Sequence, residues 1–318
     1  MTFLKLGSLF LSLSLLLNLA ATSSAGQSGG GAIAVYWGQN PGEGRLSKAC
    51  RTGNYDFVNI AFLTAFGGGR SPVLDLSGHC NASRGGCAAL SRDIRTCQKL
   101  GVKVLLSLGG GDAASHSLDS AEDARQVAEY LYNNFLFGKA FSRPLGRAAL
   151  DGVDFSVAGG STRKDRLHWE DLAGGLANYS REGRKVLLTA AADCEFRDRT
   201  LKRAIAAGVF DAVWVRFFGG ATCQYSPENL LPMKLSWERW NAKAKAAALF
   251  VGLPAAEDAA AGGGYVPPEN FTAQVLPFVS GYPKYGGVML WDRYYDAANG
   301  YSAQVKCEVK DCEVNTDI

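Results

Sequence analysis

From position 32 onward the chain repeats short, strongly apolar runs at 32–36, 57–62, 103–108, 152–157, 186–191, 212–217, 250–253 and 287–291. Several are nearly continuous rather than alternating, as expected of parallel strands covered on both faces. Segments with helical spacing at 90–100, 121–135, 169–179, 237–248 and 269–279 fill most of the gaps. Eight strands alternating with helices over about 270 residues predict an α/β fold of the closed (β/α)8 type, a TIM barrel, with a doubly wound open sheet as the alternative. No internal repeat or low-complexity linker interrupts the pattern, so a single domain is expected. Glycine clusters at 67–69, 109–111 and 262–264 fall in loops. The cluster at 109–111 follows a strand but lacks the spacings that cradle phosphates. It is read as a place where backbone turns sharply or lies close to a ligand.

The first 25 residues have a different pattern. Lys5 precedes an apolar stretch at 6–21, and the small residues Ser23, Ser24 and Ala25 follow. This describes a signal peptide cleaved after Ala25. The rival, a membrane anchor, asks for about 18 or more apolar residues, and this stretch is shorter and contains Asn18. The expected organisation is a signal peptide at 1–25, a barrel at 26–305 and a polar tail at 306–318. The net charge of +3, or +2 once Lys5 leaves, is scattered and gives no reason to expect nucleic acid or a membrane surface as partner.

Eight cysteines in an exported chain predict disulfides, and the sequons at Asn81, Asn178 and Asn270 suit the same compartment. Zinc is the competing use of Cys and His. No pair has the tight Cys-X2-Cys spacing, and His79, His116 and His168 are far apart, so no metal and no cofactor is expected.

The stretch Leu150-Asp-Gly-Val-Asp-Phe-Ser-Val-Ala-Gly159 carries the chemical information. It resembles the glycoside hydrolase family 18 signature, Asp-Gly-X-Asp-X-Asp-X-Glu, which lies on the fourth barrel strand. Val35-Tyr-Trp-Gly-Gln-Asn40, Val58-Asn-Ile-Ala-Phe-Leu63, Leu105-Leu-Ser-Leu-Gly-Gly-Gly111, Gly264-Tyr-Val-Pro-Pro268 and Tyr285-Gly-Gly-Val-Met-Leu-Trp291 are similar to plant class III chitinases, and the resemblance runs in register over about 32–302. It implies the disulfides Cys50–Cys97, Cys80–Cys87 and Cys194–Cys223, leaving Cys307–Cys312 as an added bridge that closes a small loop in the tail. It also implies that the last motif position is the proton donor and that the aspartate before it orients the substrate's acetamido group, the internal nucleophile of this substrate-assisted class.

Here those two positions are Ala158 and Ser156. Side chains two apart on a strand share a face, so Asp154, Ser156 and Ala158 are expected to point into the barrel, the last nearest the C-terminal mouth. A methyl has no proton to give. Asp154 is retained but lies roughly 13 Å further in, at about 3.3 Å per residue. Phe218 stands where the family has a tyrosine whose hydroxyl steadies the acetamido oxygen, and Arg216, Gly219 and Thr64 replace other polar cleft residues. Loss of the general acid alone costs about 10²–10⁴ in rate. Asp112 and Asp292 are the carboxylates able to replace it from nearby loops, and both also read as ordinary loop residues.

The resemblance therefore implies a secreted, apoplastic or vacuolar, monomeric chitinase-like protein without hydrolytic activity. The expected ligand is chitin or a chito-oligosaccharide, held by Tyr36, Gln39, Asp154 and Trp291, although a barrel aromatic can equally be plain core. The alternative is an inhibitor of microbial xylanases that presents Arg163, Lys164, Arg166, Arg197, Arg199, Lys202 and Arg203 to a carboxylate-bearing cleft. Residual endochitinase activity and seed storage are lesser alternatives.

Overall fold

The computed structural model describes residues 30–110, 116–157, 167–196 and 200–312. The expected signal peptide, Ala158, Asp112 and the basic residues Arg163, Lys164, Arg166, Arg197 and Arg199 lie outside them.

Eight parallel strands close a barrel: β1 (Ala32–Trp37), β2 (Phe57–Ala65), β4 (Lys103–Gly109), β5 (Gly152–Ser156), β6 (Leu187–Asp193), β7 (Ala212–Arg216), β8 (Ala248–Pro254) and β9 (Tyr285–Trp291). Pairing of β1 with both β2 and β9 makes the closure. The short β3 (Val73–Leu74) adds antiparallel to the end of β2. Where β9 meets β1 the backbones nearly touch. A Cβ on Gly287 would stand 1.8 Å from the Ala32 carbonyl oxygen, and its φ is +135°, so glycine is required there.

Two apolar regions result. The larger lies between the barrel and its helices α1 (Leu46–Arg51), α2 (Leu90–Lys99), α3 (Ala121–Asn134), α4 (Trp169–Ala177), α5 (Lys202–Ala206) and α6 (Leu231–Lys243). The smaller fills the barrel itself, where Ala34, Ala61, Ala191 and Ala212 leave room for Tyr36, Trp214 and Phe250. Trp214 and Phe250 meet edge to face at 4.5 Å.

All eight expected strands are present, and the helices differ more from expectation. The segment expected at 237–248 is α6, which starts at Leu231 because Pro232 suits a first turn, and has ended before β8 begins at Ala248. The segment expected at 269–279 is interrupted: α7 (Pro268–Asn270) and α8 (Leu276–Val279) flank a π-turn at Phe271–Val275. Pro277 has no N–H to donate to the preceding turn, and the wider turn accommodates that loss.

The end of the chain needs a larger correction. The expected polar tail begins inside a helix. After α9 (Arg293–Asn299), Gly300 turns the chain at φ 72° into α10 (Tyr301–Lys310). Tyr301, Val305 and Val309 of α10, spaced by four, are buried. The barrel unit therefore extends past 305.

Three disulfides are formed, Cys50–Cys97, Cys80–Cys87 and Cys194–Cys223. The expected fourth is not: Cys307 and Cys312 are free thiols. Cys307 lies on α10, and the left-handed Asp311 turns the chain so that the Cys312 N–H donates to the Cys307 carbonyl at 3.2 Å. A hydrogen bond to the Cys312 thiol then raises the Cys307 pKa. Among the described residues no helix is long and apolar enough to cross a membrane.

Candidate functional site

The barrel interior is polar at one level. Asp154 on β5 is wholly buried and accepts four hydrogen bonds. Tyr36 Oη and Ser107 Oγ donate to its Oδ2 at 2.7 Å each, while Thr189 Oγ1 and Trp214 Nε1 donate to Oδ1 at 2.7 and 2.8 Å. The donors come from β1, β4, β6 and β7, so one carboxylate ties together five strands. Burial raises the Asp154 pKa, and the four bonds to the charged form work against that rise. The same burial, with the Asp154 charge beside it, pushes the Tyr36 hydroxyl well above its ordinary range.

Above this level, at the C-terminal mouth, lie the ends of β5, β6 and β7. Ser156, at the end of β5, is half-buried. Register pairs Asp193 with Arg216, and their side chains form a salt bridge at 2.6 Å. The Arg216 Nε is buried without a partner among the described residues. Phe218, half-buried, packs against the barrel-interior cluster with no hydroxyl to offer. The other side of the mouth is aromatic. Trp291, half-buried at the end of β9, stands 5.3 Å from Tyr36 and stacks on Phe62 at 6.1 Å. Gln39 lies beside them, half-buried, its amide donating to the Ala61 carbonyl at 2.7 Å.

The expected ligand residues thus separate. Gln39 and Trp291 share the mouth and retain exposed surface. Tyr36 is almost fully buried beneath Trp291. Asp154 is a correction, because it is closed to solvent with each oxygen accepting two bonds and serves as a brace inside the barrel. Phe62 and the Asp193–Arg216 pair belong to the mouth and were not anticipated as a unit. The signal was available for the braces, since Ser107 and Thr189 are lone hydroxyls in apolar strands at inward-facing positions.

A second acidic group lies behind the aromatic floor. Glu43 is buried, and its Oε1 accepts from the Gly38 and Asn40 N–H groups at 2.7 and 3.0 Å and contacts His79 Nε2 at 2.9 Å. Its Oε2 has no partner among the described residues. Asp292, the residue after Trp291, caps α9 by accepting from the Tyr294 N–H at 3.0 Å. Burial, and then the Glu43 charge, raise its pKa from 3.8 to about 6. The neighbouring Arg293 turns away to Asp296 and Tyr55. These acids follow β1 and β9, the strands that lead to Gln39 and Trp291. No group of three His, Cys, Asp or Glu among the described residues is placed to hold a metal ion.

The fold is a TIM barrel with an aromatic cluster at its C-terminal face, where barrel enzymes carry their sites. The chain belongs to glycosyl hydrolases family 18, whose model matches residues 32–263. It is 52% identical over 279 residues to an acidic endochitinase of Nicotiana tabacum, covering 88% of this chain and 92% of that protein. Among solved structures, a chitinase from Ipomoea carnea superposes with a TM-score of 0.83 at 44% identity, over 88% of this chain and all of its own. A xylanase and α-amylase inhibitor from Scadoxus multiflorus gives 0.79 at 41% identity, over 87% and 98%. A tamarind chitinase-like lectin gives 0.75 at 31% identity, over 86% and 99%. One barrel thus supports enzymes, an inhibitor and a lectin.

Two outcomes are expected. Asp154→Ala strands four buried donors, and leaving buried donors unpaired costs about 1–3 kcal/mol each where no water enters, so a loss of at least about 3 kcal/mol is expected in urea unfolding. Wild-type stability at low denaturant would contradict the brace. Asp292 holds its proton more tightly in the folded chain than in the unfolded one, so its contribution is full below about pH 4, declines through the interval up to its folded value near 6, and is absent above it. Relative to Asp292→Asn, the wild type should lose about 1–3 kcal/mol across that interval. Parallel stability–pH curves for the two proteins would refute this.

Proposed function

We propose that this chain is an exported chitinase-like protein that binds N-acetylglucosamine oligomers at the barrel mouth without hydrolysing them. The observation that carries the reading is the identity of the motif positions: Ser156 and Ala158 stand where the family signature has its two working carboxyls. Substrate-assisted cleavage supplies its own nucleophile but not its own proton, so removal of the donor stops the first step. Phe218 further removes the hydroxyl that would hold the acetamido oxygen in attacking position. Asp154 does not compensate, because it lies beneath Tyr36 and is fully engaged. The acceptor side of the cleft is in better order. Trp291, backed by Tyr36 and Phe62, offers an apolar face to a pyranose ring, and Gln39 supplies a polar edge. The endochitinase relatives support the ligand class, and the lectin and inhibitor neighbours support a role without turnover.

Inhibition of a xylanase is the second reading, favoured by the likeness to the Scadoxus inhibitor. Lys202 and Arg203 are exposed, but Arg203 is already paired with Glu170 at 2.8 Å.

The test combines calorimetry with turnover. Wild-type protein titrated with chitotetraose should bind, Trp291→Ala should weaken binding by about tenfold, equal to about 1.4 kcal/mol, and neither should release product. Restoring both carboxyls, with Ser156→Asp and Ala158→Glu together, should raise hydrolysis above the wild-type blank. Turnover by the wild type comparable with a working chitinase, or no binding heat at millimolar ligand, would overturn the reading. In the second case, loss of fungal xylanase activity on adding the protein would favour the inhibitor.

A further inference from the structure

The three sequons occupy different surroundings. Asn270 ends α7 and is half-buried, with its Nδ2 donating to the Tyr225 hydroxyl at 3.2 Å. That nitrogen is the atom a glycan would take. Asn178 is exposed at the end of α4, where Ser180, the third residue of its sequon, accepts from the Val186 N–H at 3.0 Å. Asn81 is exposed in a loop pinned by the Cys80–Cys87 disulfide, with an extended backbone at φ −101°. Its Oδ1 accepts from Ser83 Oγ at 2.7 Å and from the Arg84 N–H at 3.2 Å. A backbone N–H can only donate, so the amide oxygen is fixed on that side and Nδ2 is directed away from the turn.

Asn81 also stands on the rim of a groove of about 590 Å³ beside the β2–β3 hairpin. Its lining mixes apolar Val73, Leu74, Tyr130 and Pro144 with polar Asp75 and Ser83. Val73 is 48% exposed, a large aliphatic side chain left open at the groove. Apolar ring faces beside scattered hydroxyl and carboxylate acceptors suit a pyranose, whose C–H faces are apolar and whose edges are polar.

We propose that Asn81 carries an N-linked glycan whose first sugars lie in this groove and cover Val73, and that Asn270 stays unmodified. In the transfer, Asn81 Nδ2 bonds to the anomeric carbon of the reducing-end N-acetylglucosamine of a polyisoprenyl-diphosphate oligosaccharide. The anomeric carbon–oxygen bond to phosphate breaks, the diphosphate leaves with the electron pair, and Nδ2 loses one proton. The site depends on entry into the secretory pathway, in common with the proposed function, but not on chitin binding.

The full chain, its own leader replaced by a proven one so that export is assured, is produced in a eukaryotic cell line and mapped by peptide mass spectrometry. A glycan on the Asn81 peptide and an unmodified Asn270 peptide are expected. Release of the whole glycan by an amidase should then speed amide exchange across 73–84 and lower Tm by about 1–3 °C. A bare Asn81 or a modified Asn270 in the exported protein overturns the assignment. Unchanged exchange across 73–84 after release overturns the seating in the groove. Chitotetraose binding measured on the same sample reports separately on the mouth.

Discussion

The barrel is organised around one buried carboxylate. Asp154 sits where a charge is most expensive, inside a closed barrel and away from water, and four donors from four other strands make it tolerable. The dependence is mutual. Tyr36, Ser107, Thr189 and Trp214 are themselves buried polar groups that need an acceptor, and together they have one. Such a network fixes the relative register of β1, β4, β5, β6 and β7 more specifically than apolar contact does, because a slip by one residue would turn the donors away.

The brace also shapes the mouth. Tyr36 is held down by its bond to Asp154, and Trp291 and Phe62 pack against the ring so held. The aromatic floor is therefore supported from inside the barrel and does not depend on the residues that would perform hydrolysis. One fold can carry different functions on the same scaffold, and the relatives of this chain include enzymes, an inhibitor and a lectin. At the ends of β6 and β7, Arg216 is held by Asp193.

Several features of the molecule were legible along the chain. Parallel strands buried on both faces must be apolar throughout, and this made all eight recognisable. The helices were harder. Their apolar stripes are interrupted by small residues, Pro277 forces a wider turn before α8, and α10 hides three buried apolar positions among Lys, Glu and Gln. The tail was misread because its composition is polar while its spacing is helical. The pairing of Cys307 with Cys312 is what remains once the resemblance accounts for the other six cysteines, and that says nothing about whether a helix and its cap bring two sulfurs into bonding position.

By itself the sequence determined the strand count, the family resemblance and the absence of ionisable groups at Ser156 and Ala158, because each is a property of residue type and order. Only the tertiary structure decided what the retained groups do. Asp154 reads as a site residue in the chain and is a brace in the fold, since burial and hydrogen-bond saturation depend on what five strands bring together. The influence of the Glu43 charge on Asp292 and the Asp193–Arg216 bridge are likewise products of barrel closure and strand register. Electrostatic coupling acts through space, and one-dimensional order does not contain that distance.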